Sequence, residues 1–505
     1  MPPRQIRPNC RALLLASTTL AALTSGAAAN DLPATPEGAA KITAFFETYA
    51  GKAAATPPAL VVTPEGTDYL VTTDIGALTA PLKSAGLNYD SAVFKFKVFE
   101  QDDAAWRVEQ DSFPTYHVQM TQNDVTTDVT VSVSGLKTVT LLDTALDWIR
   151  SGQYHVDNMA VQERLPGIDV TAGGGPLEAT MATQASPDSA VSTTMRESVG
   201  ALEMTLAVDP KAIDPKAANP PATDDAQPFN VAARFDSGTL DFKLDVKPRP
   251  LLDLWAFIVA HPTRPELAAD EAAFKTLLTA ALAGRIALDE EFGLQKLSVQ
   301  TPQGPFTFDG AKVGVSVSAA GPASRFEQHY AATGLALPPG LVPAQYQDLV
   351  PTSFDLGFKV SGFDLTAAGT EAIADMHLAG DAPPIAKEDE DKVSAKLQSA
   401  GPVVIDIPSS HILAPQLDVS FEGQVHYLGP KSTGTITVHA RNFDRTTAAA
   451  LKAGGPEGEK KLVPLVAMVK GLAKADPDGV MTWVCEIGDD RVMKVNGLPL
   501  GKAPN

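Results

Sequence analysis

The amino-acid sequence predicts an α+β protein: an elongated, long curved antiparallel β-sheet with amphipathic helices packed on one face. Three observations lead there. Runs in which apolar and polar residues alternate recur along most of the chain, and several exceed the usual strand length of about five or six residues. Helical spacing is confined to a few stretches. Forty prolines and 38 glycines, against an aromatic content of 6%, favour many turns between strands. A strand with one apolar and one wet face belongs in antiparallel sheet, and its dry face needs a cover.

The first residues read as a removable address rather than as fold. Arg4, Arg7 and Arg11 form a positive segment, Leu13 to Leu23 is a short apolar core, and Ala27-Ala28-Ala29 supplies the small residues a signal peptidase accepts. Cleavage is expected before Asn30, and the apolar run is too short for a permanent membrane anchor. An exported, periplasmic protein is therefore expected. Its organisation is a signal peptide over 1–29, an N-terminal β-rich half over 30–208, a linker or loop over 209–228, and a C-terminal β-rich half with helices over 229–505. The 209–228 segment holds five prolines and no apolar periodicity. The formal charge of −20 repels nucleic acid, so no nucleic-acid partner is expected. Cys10 leaves with the leader, which makes Cys485 the remaining thiol and leaves stability to the core rather than to disulfides.

Residues 38–50 form a helix, because Ile42, Phe45, Phe46 and Tyr49 fall on one side at 3.6-residue spacing. Strands at Leu60–Thr63 and Tyr69–Thr73 flank the turn Pro64-Glu65-Gly66-Thr67. Phe94, Phe96 and Val98 alternate with lysines, and Val129, Val131 and Val133 with Thr130 and Ser132. The spacing predicts a helix over 141–151, then more strand to Val208. Beyond the proline-rich segment, Leu240, Phe242, Leu244 and Val246 share a strand face. Helices are expected over 251–259 and 267–283, the second carried by Leu267, Glu271, Phe274, Leu277, Leu278 and Leu282 and closed by Gly284. Further strands cover 313–317, 354–360, 417–427 and 435–441. A last helix over 459–474 presents Leu462, Leu465, Val466, Val469 and Leu472, with Pro464 in its first turn. Met481, Trp483, Cys485 and Ile487 then share a strand face, which predicts a buried thiol. Leu141-Leu142-Asp143 and Leu251-Leu252-Asp253 each follow a strand run and open a helix, a hint of duplication.

Few motifs carry chemistry. Gly173-Gly174-Gly175 lacks the Lys and Ser/Thr of a phosphate-binding loop and reads as a flexible turn. Asp476-Pro477-Asp478-Gly479 lacks the later ligands of a calcium loop and reads as a β-turn. Glu388-Asp389-Glu390-Asp391 reads as a solvated helix start. The eight histidines are scattered. If the strands around 416–428 and 433–443 turn at Gly429-Pro430, Glu422 stands opposite His439 and His426 opposite Thr435, an ordinary polar pairing on a wet face.

The leader, the short helix ending at Tyr49, Phe113-Pro114, Leu349-Val350-Pro351-Thr352 before Phe354-Asp355-Leu356, and the closing Val495-Asn496-Gly497-Leu498-Pro499-Leu500-Gly501 together resemble an uncharacterised family of exported, mostly alphaproteobacterial proteins with a domain of unknown function. The terminal strand also resembles the YdgA-like family, and the long alternating strands are similar to AsmA-type periplasmic proteins. The resemblance implies a periplasmic, β-rich, non-enzymatic protein, and supplies no catalytic residues. The lack of an anchor departs from the AsmA and YdgA pattern.

The expected function is that of a non-catalytic periplasmic protein, either a scaffold or a binder of lipid or another apolar envelope component. The amount of alternating apolar face, set against few helices to cover it, motivates this. Phe242, Phe358 and Phe421 are the candidate lining of an apolar groove. No catalytic residue, cofactor or metal ligand is expected. The alternative is an envelope-directed hydrolase using acidic residues as acid and base.

Overall fold

The computed structural model describes residues 30–51, 58–80, 87–90, 92–122, 125–186, 190–209, 227–284, 286–380, 382–427, 432–488 and 491–502. The expected leader, most of the 209–228 segment and the Gly429-Pro430 turn lie outside the described residues.

Thr35 caps helix α1 (Pro36–Ala50), its hydroxyl accepting from the Gly38 N–H at 3.0 Å. Strands β1 (Leu60–Glu65) and β2 (Asp68–Asp74) form a hairpin whose two-residue turn holds Gly66 at φ +63°, a conformation that favours glycine. The apolar side of α1 lies on this hairpin and its neighbours, so Ile42, Phe45 and Phe46 pack against Tyr69, Val71, Val98 and Trp106. After the single turn α2 (Ile75–Leu78) come β3 (Leu87–Tyr89), β4 (Val93–Glu100), β5 (Ala105–Gln110), β6 (Tyr116–Gln122), β7 (Val125–Ser134), β8 (Lys137–Asp143), β9 (Trp148–Val156) and β10 (Asn158–Leu165).

The helix expected over 141–151 is instead the β8–β9 hairpin. Leu141 and Leu142 are paired on both sides, to Arg107 and Trp106 of β5 and to Ser151 and Ile149 of β9. The Asp143 carboxylate accepts from the N–H groups of Ala145 and Leu146, at 2.9 and 3.1 Å, and so makes the turn. Partners distant in sequence override the local helical spacing. The two Leu-Leu-Asp triplets thus occupy different structures, a strand end and a helix interior.

β11 (Ile168–Ala185) and β12 (Val191–Val208) are 18 residues each and lie side by side. At β11 the sheet forks. Its first half pairs with β10, leading through β7 and β6 to β3; its second half pairs with β9, leading through β8, β5, β4 and β2 to β1. Gly173-Gly174-Gly175 sits at this fork, inside the strand rather than in a turn. A Cβ on Gly174 would lie 2.2 Å from the Ala201 carbonyl oxygen, and one on Gly175 2.3 Å from that of Asp157, so close backbone approach demands glycine.

β13 (Phe229–Phe235) pairs with the end of β12, Val208 opposite Phe229, so the ladder runs on across the proline-rich segment. Next come β14 (Ser237–Val246), helices α3 (Pro248–Ala260), α4 (Arg264–Ala269) and α5 (Glu271–Ala283), then β15 (Ile286–Thr301), β16 (Gly304–Ala319) and β17 (Ser324–Thr333). A 3₁₀ turn (Ala344–Leu349) precedes β18 (Ser353–Phe363), α6 (Leu365–Ala374), α7 (Lys387–Leu397), β19 (Val403–Ala414), β20 (Leu417–Tyr427) and β21 (Thr433–Arg441). The chain closes with α8 (Phe443–Leu472), β22 (Lys474–Ala475), β23 (Met481–Ile487), β24 (Val492–Val495) and β25 (Leu498–Lys502). Among the described residues all these strands join one antiparallel sheet. α1, α3, α5, α6 and α7 touch in succession, and α3–α7 fill the connections at one end of the long strands.

Four further expectations change. The 267–283 helix is broken at Asp270: α4 starts on a capping box between Thr263 and Glu266, and α5 starts afresh at Glu271, whose carboxylate accepts from the Leu378 N–H at 2.7 Å. The last helix begins earlier and kinks at Gly455 (φ +59°), so Pro464 lies in its interior rather than in a first turn, and Leu465 is exposed. In the β20–β21 pair Glu422 faces Thr437 and His426 faces Thr433, two residues off the expected register; His439 faces Ser420 and bonds Thr482. Such a slip by two keeps every side chain on its expected face. Cys485 lies on the expected strand beside Trp483, but is half-buried rather than buried. The Asp476–Gly479 turn and the acidic first turn of α7 form as expected.

Candidate functional site: an apolar sheet face

Residues directly opposite in antiparallel strands project to the same face. Following the register from strand to strand therefore shows which side chains share a side. Phe242 of β14 stands opposite Glu290 of β15, then come Val315, Gln328 and Phe358 on β16, β17 and β18. The same row extends backwards to Met195 and Met181. A second row on this face runs Leu240, Phe292, Val313, Tyr330, Leu356, and a third Leu244, Leu288, Val317, Phe326, Val360. Phe421 of β20 lies on the same face, reached through Phe354, Ile412 and Val419. The three candidate phenylalanines thus share one side of the sheet. Phe242 and Phe358 share one row, four strand spacings or about 19 Å apart, while Phe421 lies beyond a bulge in β18–β19.

A trough of about 1080 Å³ crosses eight strands from β11 to β19. Its lining joins the row Met181, Met195, Phe242, Glu290, Val315, Gln328, Phe358 to the residues next to each along its strand, among them Arg196, Asp241, Glu291 and Lys359, whose side chains belong to the opposite face, and ends at Asp406 and Pro408; Phe292, Val313, Tyr330 and Phe421 are not part of it. In the second apolar row, Phe292 is 36% exposed, Val313 41% and Tyr330 38%. These three are adjacent across β15, β16 and β17, so they make a continuous solvent-facing apolar stripe.

The opposite face is polar and internally paired. Asp241 meets Arg196 at 2.8 Å, Glu291 meets Lys312 at 2.7 Å, Glu327 meets Lys359 at 3.2 Å and Asp355 meets His329 at 2.7 Å. His117 lies between Asp90 and Asp128, and His155 between Asp157 and Glu178, both on half-exposed surface. Among the described residues no group of three or more His, Cys, Asp or Glu is placed to hold a metal.

Glu197 was not anticipated. It faces Leu240 across the strands and stands beside Met195 and Val199 on its own, so it belongs to the apolar side. Burial there pushes its carboxyl pKa up, opposed by a hydrogen bond from Tyr154, and burial with the nearby Glu197 charge drives the Tyr154 phenol upward as well. β15, with Glu290, was also missed. Leu288, Phe292 and Leu294 alternate as a strand should, but Glu290 interrupts the apolar set, and that single acidic member is the signal that was available.

No family model, curated protein or solved structure matches this chain. No described helix is long and apolar enough to cross a membrane.

Proposed function

We propose that this chain is a non-catalytic periplasmic binding protein that holds an apolar ligand, an acyl chain, against the apolar face of its central strands. The observation that carries the reading is the Phe292–Val313–Tyr330 stripe, open to solvent on the same face as Phe242 and Phe358. A soluble protein seldom leaves such a stripe uncovered without a use for it. Each CH₂ removed from water onto it would contribute about 0.8 kcal/mol. The resemblance to exported β-rich families supports the compartment, and the paired acids of the opposite face support a surface without an acid–base centre.

The test is binding of a fluorescent fatty acid to the whole chain, with mass spectrometry of lipid copurified from its own envelope. Saturable binding is expected, weakened at least tenfold by Val313→Glu, with circular dichroism and the unfolding midpoint close to those of the parent. A parent protein that neither binds the probe nor carries lipid would end the acyl-chain reading.

A further inference from the structure

The two faces of the central strands treat their carboxylates differently. On the polar face Asp241, Glu291, Glu327 and Asp355 each have a cationic or histidine partner. On the apolar face of β12 and β14–β18 the charged residues towards the far strand ends are paired, Lys296 with Asp309 and Glu203 with Arg234 of β13, whereas Glu197 and Glu290, in the middle, have no cation beside them among the described residues. Arg196, Lys243, Lys312 and Lys359 all occupy positions of the opposite face. Glu290 stands between Phe242 and Val315 across the strands and between Leu288 and Phe292 along its own. It is exposed, and among the described residues it has no hydrogen-bond or ion-pair partner. Glu197 stands two strands away, with the Tyr154 hydroxyl as its hydrogen-bond partner.

We propose that the ligand of this face is a cationic amphiphile, an alkyl chain ending in a protonated amine, with its chain on Phe292, Val313 and Tyr330 and its ammonium group at Glu290. The inference rests on the acyl-chain reading above and adds the charge of the head group. A carboxylate set in apolar surroundings without a protein cation is matched by a ligand cation, whose N–H groups make short charge-assisted bonds to it. The same carboxylate repels a fatty-acid head group. Glu197, about 12 Å away, two strand spacings across and two residues along, adds a second negative end to the same surface, and Gln328 offers a neutral amide on the other side.

Calorimetric titration of the full-length mature chain with dodecylamine, dodecanol and dodecanoate, each below its micellar concentration at pH 7.5, tests this. Dodecylamine should bind at least tenfold more tightly than dodecanoate. Glu290→Gln should bring the amine within about twofold of dodecanol without changing dodecanol binding, and Glu291→Gln, on the other face, should change nothing. Dodecanoate binding as tightly as dodecylamine, with dodecanol also bound, would overturn the head-group assignment and leave the acyl-chain reading standing. An equal loss of amine binding in Glu291→Gln would show diffuse attraction to an acidic protein and also overturn it. Failure of all three ligands to bind would overturn both.

Discussion

The N-terminal end of the sheet and its central strands carry the same alternating pattern and end in opposite states. Around β2 and β4, helix α1 lies on the apolar face, and Tyr69, Val71 and Val98 are sealed from solvent. Around β15, β16 and β17, Phe292, Val313 and Tyr330 face water. Alternation encodes which side of a strand is apolar; it does not encode whether anything will cover that side. The cover is a separate instruction, written at the N-terminal end by Ile42, Phe45 and Phe46 at helical spacing.

The largest expected effect separates the two ends directly. Tyr69→Ala removes a sealed side chain whose hydroxyl also accepts from the Thr35 N–H, and should cost about 3–5 kcal/mol in urea unfolding. Tyr330→Ala on the open stripe should cost less than about 1 kcal/mol. Equal costs would mean that the stripe is core after all. Loosening the cover comes next: Thr35→Ala deletes the α1 cap and should cost about 1 kcal/mol, detected in the same unfolding experiment. The smallest effect is at Glu197. Its folded-state pKa is raised, so the folded protein holds the proton more tightly than the unfolded chain. The resulting contribution to stability is fully present below the unfolded carboxyl value of about 4.3 and is lost as pH rises through the raised folded value. Glu197→Gln removes this loss, so its stability relative to the parent should rise between pH 4 and pH 8; a difference independent of pH would place Glu197 in water.

Much of the sheet was legible because a period of two survives in any antiparallel strand. Leu240 to Val246, Phe354 to Val360 and Leu417 to Tyr427 fall where the alternation puts them, and their apolar residues share a side. What failed depends on partners distant in sequence. Leu141 and Leu142 have helical neighbours locally, yet β5 and β9 claim their backbone groups. Gly174 reads as loop until β12 approaches within contact of it. The candidate site was half legible: Phe242 and Phe358 were found as members of apolar runs, whereas Glu197 and Glu290 were hidden because each breaks such a run. The residues that spoil the pattern are the ones that give this face its chemistry.

From β15 to β20 every strand bonds to the strand before it and the strand after it in sequence, and β21, β23, β24 and β25 continue the series. Such a ladder is a line of nearest-neighbour couplings, as in repeat proteins, so its end rungs can open locally without the rest. Fraying would begin at β25, which among the described residues has a partner on one side only, and move inward strand by strand while the sealed N-terminal core stays intact. Amide exchange would then grade along the sequence, fastest at the C-terminal rungs and slowest beneath α1.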